Sequence, residues 1–278
     1  DELPANPLVE IEFSEALDPA TVNDTTLKLF RNVGGKRIEG TVSLRDERFV
    51  RITPDTPLEA STGYYIDVLN GILDLDGQAL RPGSSPETII YRYFFNTGNI
   101  TDTTAPVVVA VSPPEGWTDV ALNSNIRVRL SERINPLTVS ASTISITDGT
   151  TTVVPHAISF ADREREIMIT PYSPLAAGKV YSTKVSGVED NVGNNVGDYT
   201  TKFTTGSIID TESPAAIAAT PFSGADDVPV NSPIIIEMSE PIDPISVNDS
   251  TFRIYDYTTA QYLPGTRNVS ADGRIISF

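Results

Sequence analysis

The 278-residue chain has no cysteine, a single histidine, a single tryptophan and two methionines. Without cysteine there is no disulfide, no thiolate metal site and no thiol nucleophile. His156 therefore has neither a cysteine nor a second histidine with which to build a zinc site. Flanked by Pro155 and Ala157, it reads as a strand-edge residue. No Gly-x-Ser-x-Gly elbow, phosphate-binding glycine loop or His-Glu-x-x-His motif occurs. A pair of carboxylates could in principle cleave glycosides, but no pattern singles one out, and the chain reads as non-enzymatic. No apolar run approaches the roughly 18–20 residues of a spanning helix, so membrane insertion is not expected. Basic residues are scarce: Lys+Arg number 20 against 37 Asp+Glu, a net charge of −17. Such a surface repels phosphate backbones, which excludes nucleic acid as a partner. It suits an exported protein and offers carboxylates to hard cations.

What the sequence has in quantity is proline (21), glycine (18) and β-branched residues, the makings of many short strands joined by turns. Self-comparison organises them. Asp102–Pro136 and Asp210–Pro244 align without a gap at an offset of 108, with 15 of 35 positions identical. A third copy opens the chain, where Asn6, Ser14, Glu15 and Pro19 match Asn123, Ser131, Glu132 and Pro136. Ser14 to Phe95 spans 81 residues against 72 from Ser131 to Phe203. One of the nine extra residues is placed near Glu59–Leu69, and eight fall between Gly77 and Phe95, where RPGSSPE reads as an enlarged loop. Three units follow: 1–100, missing its first strand; 101–207, complete; and 208–278, ending before its last strands.

In the middle unit, period-two alternation points Ile126, Val128 and Leu130 inward and Arg127 and Arg129 to water. Ile144 and Ile146, Ile158 and Phe160, Ile167 and Ile169, Tyr181 and Val185, and Tyr199 and Phe203 continue it. With Val107–Val111 this makes about seven strands. The only helical signal is one turn at Pro136–Val139. The fold class is all-β: tandem, immunoglobulin-like antiparallel β-sandwiches of about seven strands per complete unit.

The units share wording that a sandwich alone does not require: DTxxP at the junctions, S-E-x-[IL]-[DN]-P after the second strand, the loop D-x-x-G-[NQ] at Asp74–Gln78 and Asp190–Asn194, and a closing F-x-T-G. This set resembles the bacterial Ig-like repeats of S-layer proteins and large surface adhesins. The resemblance implies a structural or assembly module of the cell surface or extracellular space (S-layer, filament, sheath or adhesin stalk). Its partners would be other copies of itself or neighbouring repeats, in a surface polymer. Two other classes stay open: a module binding carbohydrate or host protein, and an accessory region of a larger secreted enzyme.

The recurrent acids are the candidate metal ligands. Asp102 and Asp210 precede the junction prolines, Glu132 and Glu240 follow the second strand, and Asp190 opens the late loop. Together with loop carbonyls they could hold calcium, which takes six to eight oxygens. Turn chemistry alone also explains each of them, since Asp and Ser hydrogen-bond nearby backbone. Trp117, at a loop position where the third unit has Ala225, is a candidate interaction anchor or a cover for its own sandwich. A first unit without its opening strand should leave a groove beside an unpaired edge.

Overall fold

The computed structural model describes Pro4, residues 6–80, Ser85, and residues 88–149 and 152–278. Most of the RPGSSPE loop lies outside the described residues. The chain forms two compact units. The first contains residues 1–106 with Ile134–Thr138 and Val188–Val196; the second contains Val107–Arg133, Val139–Gly187 and Gly197–Phe278.

In the first unit seven strands form two antiparallel sheets. They are β1 (Val9–Glu12), β2 (Leu27–Arg31), β3 (Arg37–Ile38), β4 (Gly40–Arg45), β5 (Phe49–Pro54), β6 (Gly63–Leu69) and β7 (Ile89–Asn96). One sheet runs β1-β5-β4 and the other β3-β2-β6-β7. Alternate residues of each, among them Val9, Leu27, Leu29, Val50, Ile52, Tyr64 and Ile66, pack into one core, as the two-residue side-chain period requires.

The second unit holds β8 (Val108–Ser112), β9 (Ile126–Leu130), β10 (Ile144–Thr147), β11 (His156–Ala161), β12 (Glu166–Pro171), β13 (Val180–Val185) and β14 (Tyr199–Thr204). These seven make the sheets β11-β12-β9-β8 and β10-β13-β14. Ile126, Val128, Ile144, Ile146, Ile167 and Ile169 are wholly buried between them. Six further strands follow: β15 (Ala216–Thr220), β16 (Ile235–Met238), β17 (Tyr255–Asp256), β18 (Gln261–Tyr262), β19 (Asn268–Val269) and β20 (Ile275–Ser277). They form the sheet β15-β16-β20-β19 and the hairpin β17-β18.

The same pieces recur at the sequence offsets. Tyr64 stacks on Phe95 at 5.6 Å and Tyr181 on Phe203 at 5.8 Å, both with planes 23° apart. Each tyrosine hydroxyl accepts a bond from the amide five residues before it, Glu59 or Ala176, at 2.8 Å. Single helical turns recur at Pro19–Thr21, Pro136–Thr138 and Pro244–Ser246, each with proline first. Two expectations shift. Phe160 is 37% exposed, because β11 is an edge strand with little above it. The extra residue of the first unit lies just past Leu69: both Leu69 N–H and Ser186 N–H bond the preceding strand's start, at Thr26 and Thr143. Asn70 and Gly71 then stand where the middle repeat has Gly187 alone.

Candidate functional site

The junction aspartates are held by a clasp. Asn6 donates its side-chain amide to the Asp102 carbonyl (2.8 Å) and accepts the Asp102 N–H (2.9 Å). Asn123 does the same for Asp210, at 2.8 and 3.0 Å. The carboxamide thus imitates a strand rung and satisfies both backbone groups of a residue that leaves the sheet. Each aspartate then accepts the N–H two residues on, from Thr104 or Glu212. The recurring serine acts just as locally. Ser131 Oγ accepts the Val107 N–H and Ser239 Oγ the Ala215 N–H, which anchors the strand that follows each junction.

Of the five acids singled out in the sequence, Asp102 and Asp190 lie in the first compact unit and Glu132, Asp210 and Glu240 in the second. Asp190 is buried; its Oδ1 accepts the N–H groups of Val192 (2.8 Å) and Asn194 (2.9 Å), and its Oδ2 accepts the Asn194 side-chain amide. The clasp engages only backbone atoms at 102 and 210 and would accept any side chain; aspartate recurs there for the turn its Oδ1 makes with the N–H two residues on.

Other acids pair with arginine. In the first unit, Glu10 on β1 has a side chain only 2% exposed, between Arg45 (3.3 Å) and Arg51 (3.4 Å). Its Oε2 accepts the Asn135 side-chain amide at 3.1 Å. Arg51 also pairs with Glu189 at 2.8 Å, and Arg45 donates to the Leu137 carbonyl at 3.0 Å. In the second unit, Arg127 on β9 pairs with buried Glu166 at 2.6 Å and with Asp243. Burial opposes the charge on Arg127, but the carboxylates of Asp243 and Glu166 outweigh it, so its pKa is raised above the ordinary arginine value. Arg127 does not simply face water, as its alternation suggests; the loop of the third repeat covers it. Period-two reasoning could not find this, because it sorts faces of one sheet and says nothing of what lies against the outer face. A signal did exist: Glu10 and Arg127 occupy equivalent strand positions, and Asn135 and Asp243 equivalent loop positions.

Trp117 is half-buried and reaches the third repeat within the second unit. A Cβ built on Gly273 would stand 2.5 Å from its Cη2, and Pro241 is also in this contact. His156 begins β11 at the edge of its sheet, with Nδ1 2.7 Å from the Val154 carbonyl.

Repeated two-sheet units closed by one clasp define a chain of bacterial immunoglobulin-like repeats. The bacterial Ig-like domain family matches residues 1–97, 102–205 and 210–278, and the chain belongs to it. It is 26% identical over 210 residues to an S-layer protein of Geobacillus stearothermophilus, covering 73% of this chain. It is 27% identical over 253 residues to an outer cell wall protein of Brevibacillus brevis, covering 87% of this chain. The matches span 16% and 23% of those relatives' own lengths. Among solved structures it is similar to domains 1–6 of the surface layer protein SbsC, with 18% identity and a TM-score of 0.32 over 63% of this chain and 22% of that one.

Proposed function

We propose that the chain is a non-catalytic, structural segment of a bacterial surface assembly, an S-layer or related cell-wall array, outside the cell. The observation that carries this reading is the repetition itself: one family unit occurs three times, and successive repeats are joined by short linkers and ion pairs. Each repeat can fold on its own core while its neighbours extend the array. The S-layer and outer cell wall proteins it resembles support the location, and other copies or neighbouring repeats are the partners it would meet. No helix among the described residues is long and apolar enough to cross a membrane. Antibodies against the chain should decorate intact cells in a regular pattern under the electron microscope. Label confined to the cell interior would overturn the proposal.

We further propose calcium as the ion for Asp102, Glu132 and Asp190. The chain carries a net charge of −17, and a divalent cation relieves repulsion between such carboxylates while loop oxygens complete its shell. Calcium at a hundred times its Kd should stabilise the middle repeat by about 2.7 kcal/mol, raising its Tm by several degrees over chelator. Asp102→Ala should abolish the difference. Equal melting curves in calcium and in chelator would mean that these acids serve turns only.

A further inference from the structure

Two junctions of this chain use the same two positions with opposite chemistry. Glu10 and Arg127 are equivalent first-sheet strand residues, each followed four residues later by the serine of the S-E motif, Ser14 or Ser131. Asn135 and Asp243 are equivalent residues of the loop S-E-x-[IL]-[DN]-P, 108 apart. In both loops one side-chain oxygen is already engaged: Asn135 Oδ1 accepts the Leu137 N–H at 3.0 Å, and Asp243 Oδ1 the Ile245 N–H at 2.9 Å. What remains points at the preceding repeat. For Asn135 it is an N–H₂ donor, which meets the Glu10 carboxylate; for Asp243 it is a carboxylate oxygen, which meets the Arg127 guanidinium.

We infer that this pair of positions selects which repeat can follow which. Because the first oxygen is fixed by the turn, the loop residue cannot reverse its polarity by flipping its amide without losing the turn bond. An Asp loop placed on Glu10 would set two carboxylates about 3 Å apart at a site where Glu10 is almost wholly screened from solvent, and such repulsion is not diluted by water there. An Asn loop placed on Arg127 would direct donor at donor. The four combinations therefore divide into two matched (Glu with Asn, Arg with Asp) and two mismatched, and the chain contains only matched ones. The first repeat's own loop residue, Asp18, has its Oδ1 engaged by the Ala20 N–H at 3.0 Å. By the same rule Asp18 selects an Ig-like repeat with arginine at the strand position. This inference extends the structural reading above to the order of its modules and is independent of calcium.

The test exchanges one atom type at each loop in the full chain. Two reporters separate the junctions. The Leu8 N–H donates to the Asn191 carbonyl at 2.6 Å, so its hydrogen exchange follows the first junction. Trp117, the only tryptophan, packs at the second, so acrylamide quenching of its fluorescence follows that one. Asn135→Asp should speed Leu8 exchange about tenfold or more, an effect of the size expected for a like-charge contact in a poorly solvated site, and leave quenching unchanged. Asp243→Asn should raise quenching about twofold, the scale of a lost charge-assisted hydrogen bond, and leave Leu8 unchanged. Aspartate caps this same turn at Asp18 and Asp243, so Asn135→Asp keeps the local fold, and protection of the Val196 N–H verifies it. In a Glu10→Gln background, Asn135→Asp should lose most of its effect. Unchanged Leu8 exchange in Asn135→Asp, or the same acceleration with and without Glu10→Gln, overturns the inference while leaving the surface-assembly reading intact.

Discussion

The first and middle repeats differ at one corner of the sandwich. In the middle repeat β8 pairs with β9, setting Val111 opposite Val128 and Ser112 opposite Arg127. Thr201 on β14 is buried. In the first repeat β1, the equivalent of β9, pairs with β5 alone among the described residues. The position equivalent to Thr201 is Tyr93, which pairs with Ile66 as Thr201 pairs with Thr183. Tyr93 is 48% exposed and lines a cleft of about 390 Å³ with Val9, Ile11, Ile66 and Phe95. The ring of Tyr93, larger than the threonine at the same place in the middle repeat, forms part of that cleft's wall.

The comparison sharpens under substitution. Ile126 and Val9 are equivalent core residues, wholly buried and 4% exposed respectively. Ile126→Ala should cost about 3–5 kcal/mol, and Val9→Ala about 2 kcal/mol, because valine gives up fewer buried carbons than isoleucine. Denaturant unfolding followed repeat by repeat through amide exchange would measure both. Equal losses would show that Val9 is the more tightly packed of the two. Next in size are the exchanges at the corner itself. Thr201→Tyr should overpack the middle repeat by about 1–3 kcal/mol, whereas Tyr93→Thr should change the first by less than about 1 kcal/mol. A tolerated Thr201→Tyr would mean that β8 lifts as readily as if it were absent. The smallest effect tests what the repeats have in common. Tyr64→Phe and Tyr181→Phe each remove one hydroxyl bonded to a loop N–H and should each cost about 1 kcal/mol. A clear difference between them would break the equivalence of the two loops.

The strands of the middle repeat were legible because their information is local. Ile126, Val128 and Leu130 alternate with arginines, and a two-residue period assigns each to a face whatever lies beyond. Phe160 obeys the same period and is still exposed, since burial depends on the opposite sheet reaching as far as β11. The candidate site was legible in part. Repetition pointed equally to Asp102, Glu132, Asp190, Asp210 and Glu240, and Asp190 is the one among them that is buried, with its Oδ1 accepting two loop N–H groups. The recurrence of Asp102 and Asp210 records the turn each side chain makes with the N–H two residues on, a local need that sequence alone does not separate from metal binding. Arg127 and Glu10 were invisible as contacts because their partners, Asp243 and Asn135, come from the following repeat.

The asparagine clasp also has a mechanical meaning. A pull on the linker after Asp102 reaches Asn6 first, through two hydrogen bonds that open one after the other. Thr97 is held further back, its hydroxyl donating to the Glu59 carbonyl at 2.6 Å and accepting the Thr62 N–H at 3.0 Å. Gly98 is held as well, its carbonyl accepting the Ser61 N–H at 2.8 Å, so opening the clasp releases the chain from Gly98 to Asp102, about 14 Å when fully extended, and leaves every strand of the first repeat paired. Asn123 and Asp210 repeat the arrangement with Thr205 behind them, bonded to Ala176 and Lys179 as Thr97 is to Glu59 and Thr62, and there the Leu122 N–H also holds the Ile208 carbonyl at 2.9 Å, which leaves a shorter slack. Each joint then carries its own short slack, let out under load and regained on recoil, so a sheet built from such chains can yield at its seams before any sandwich unfolds.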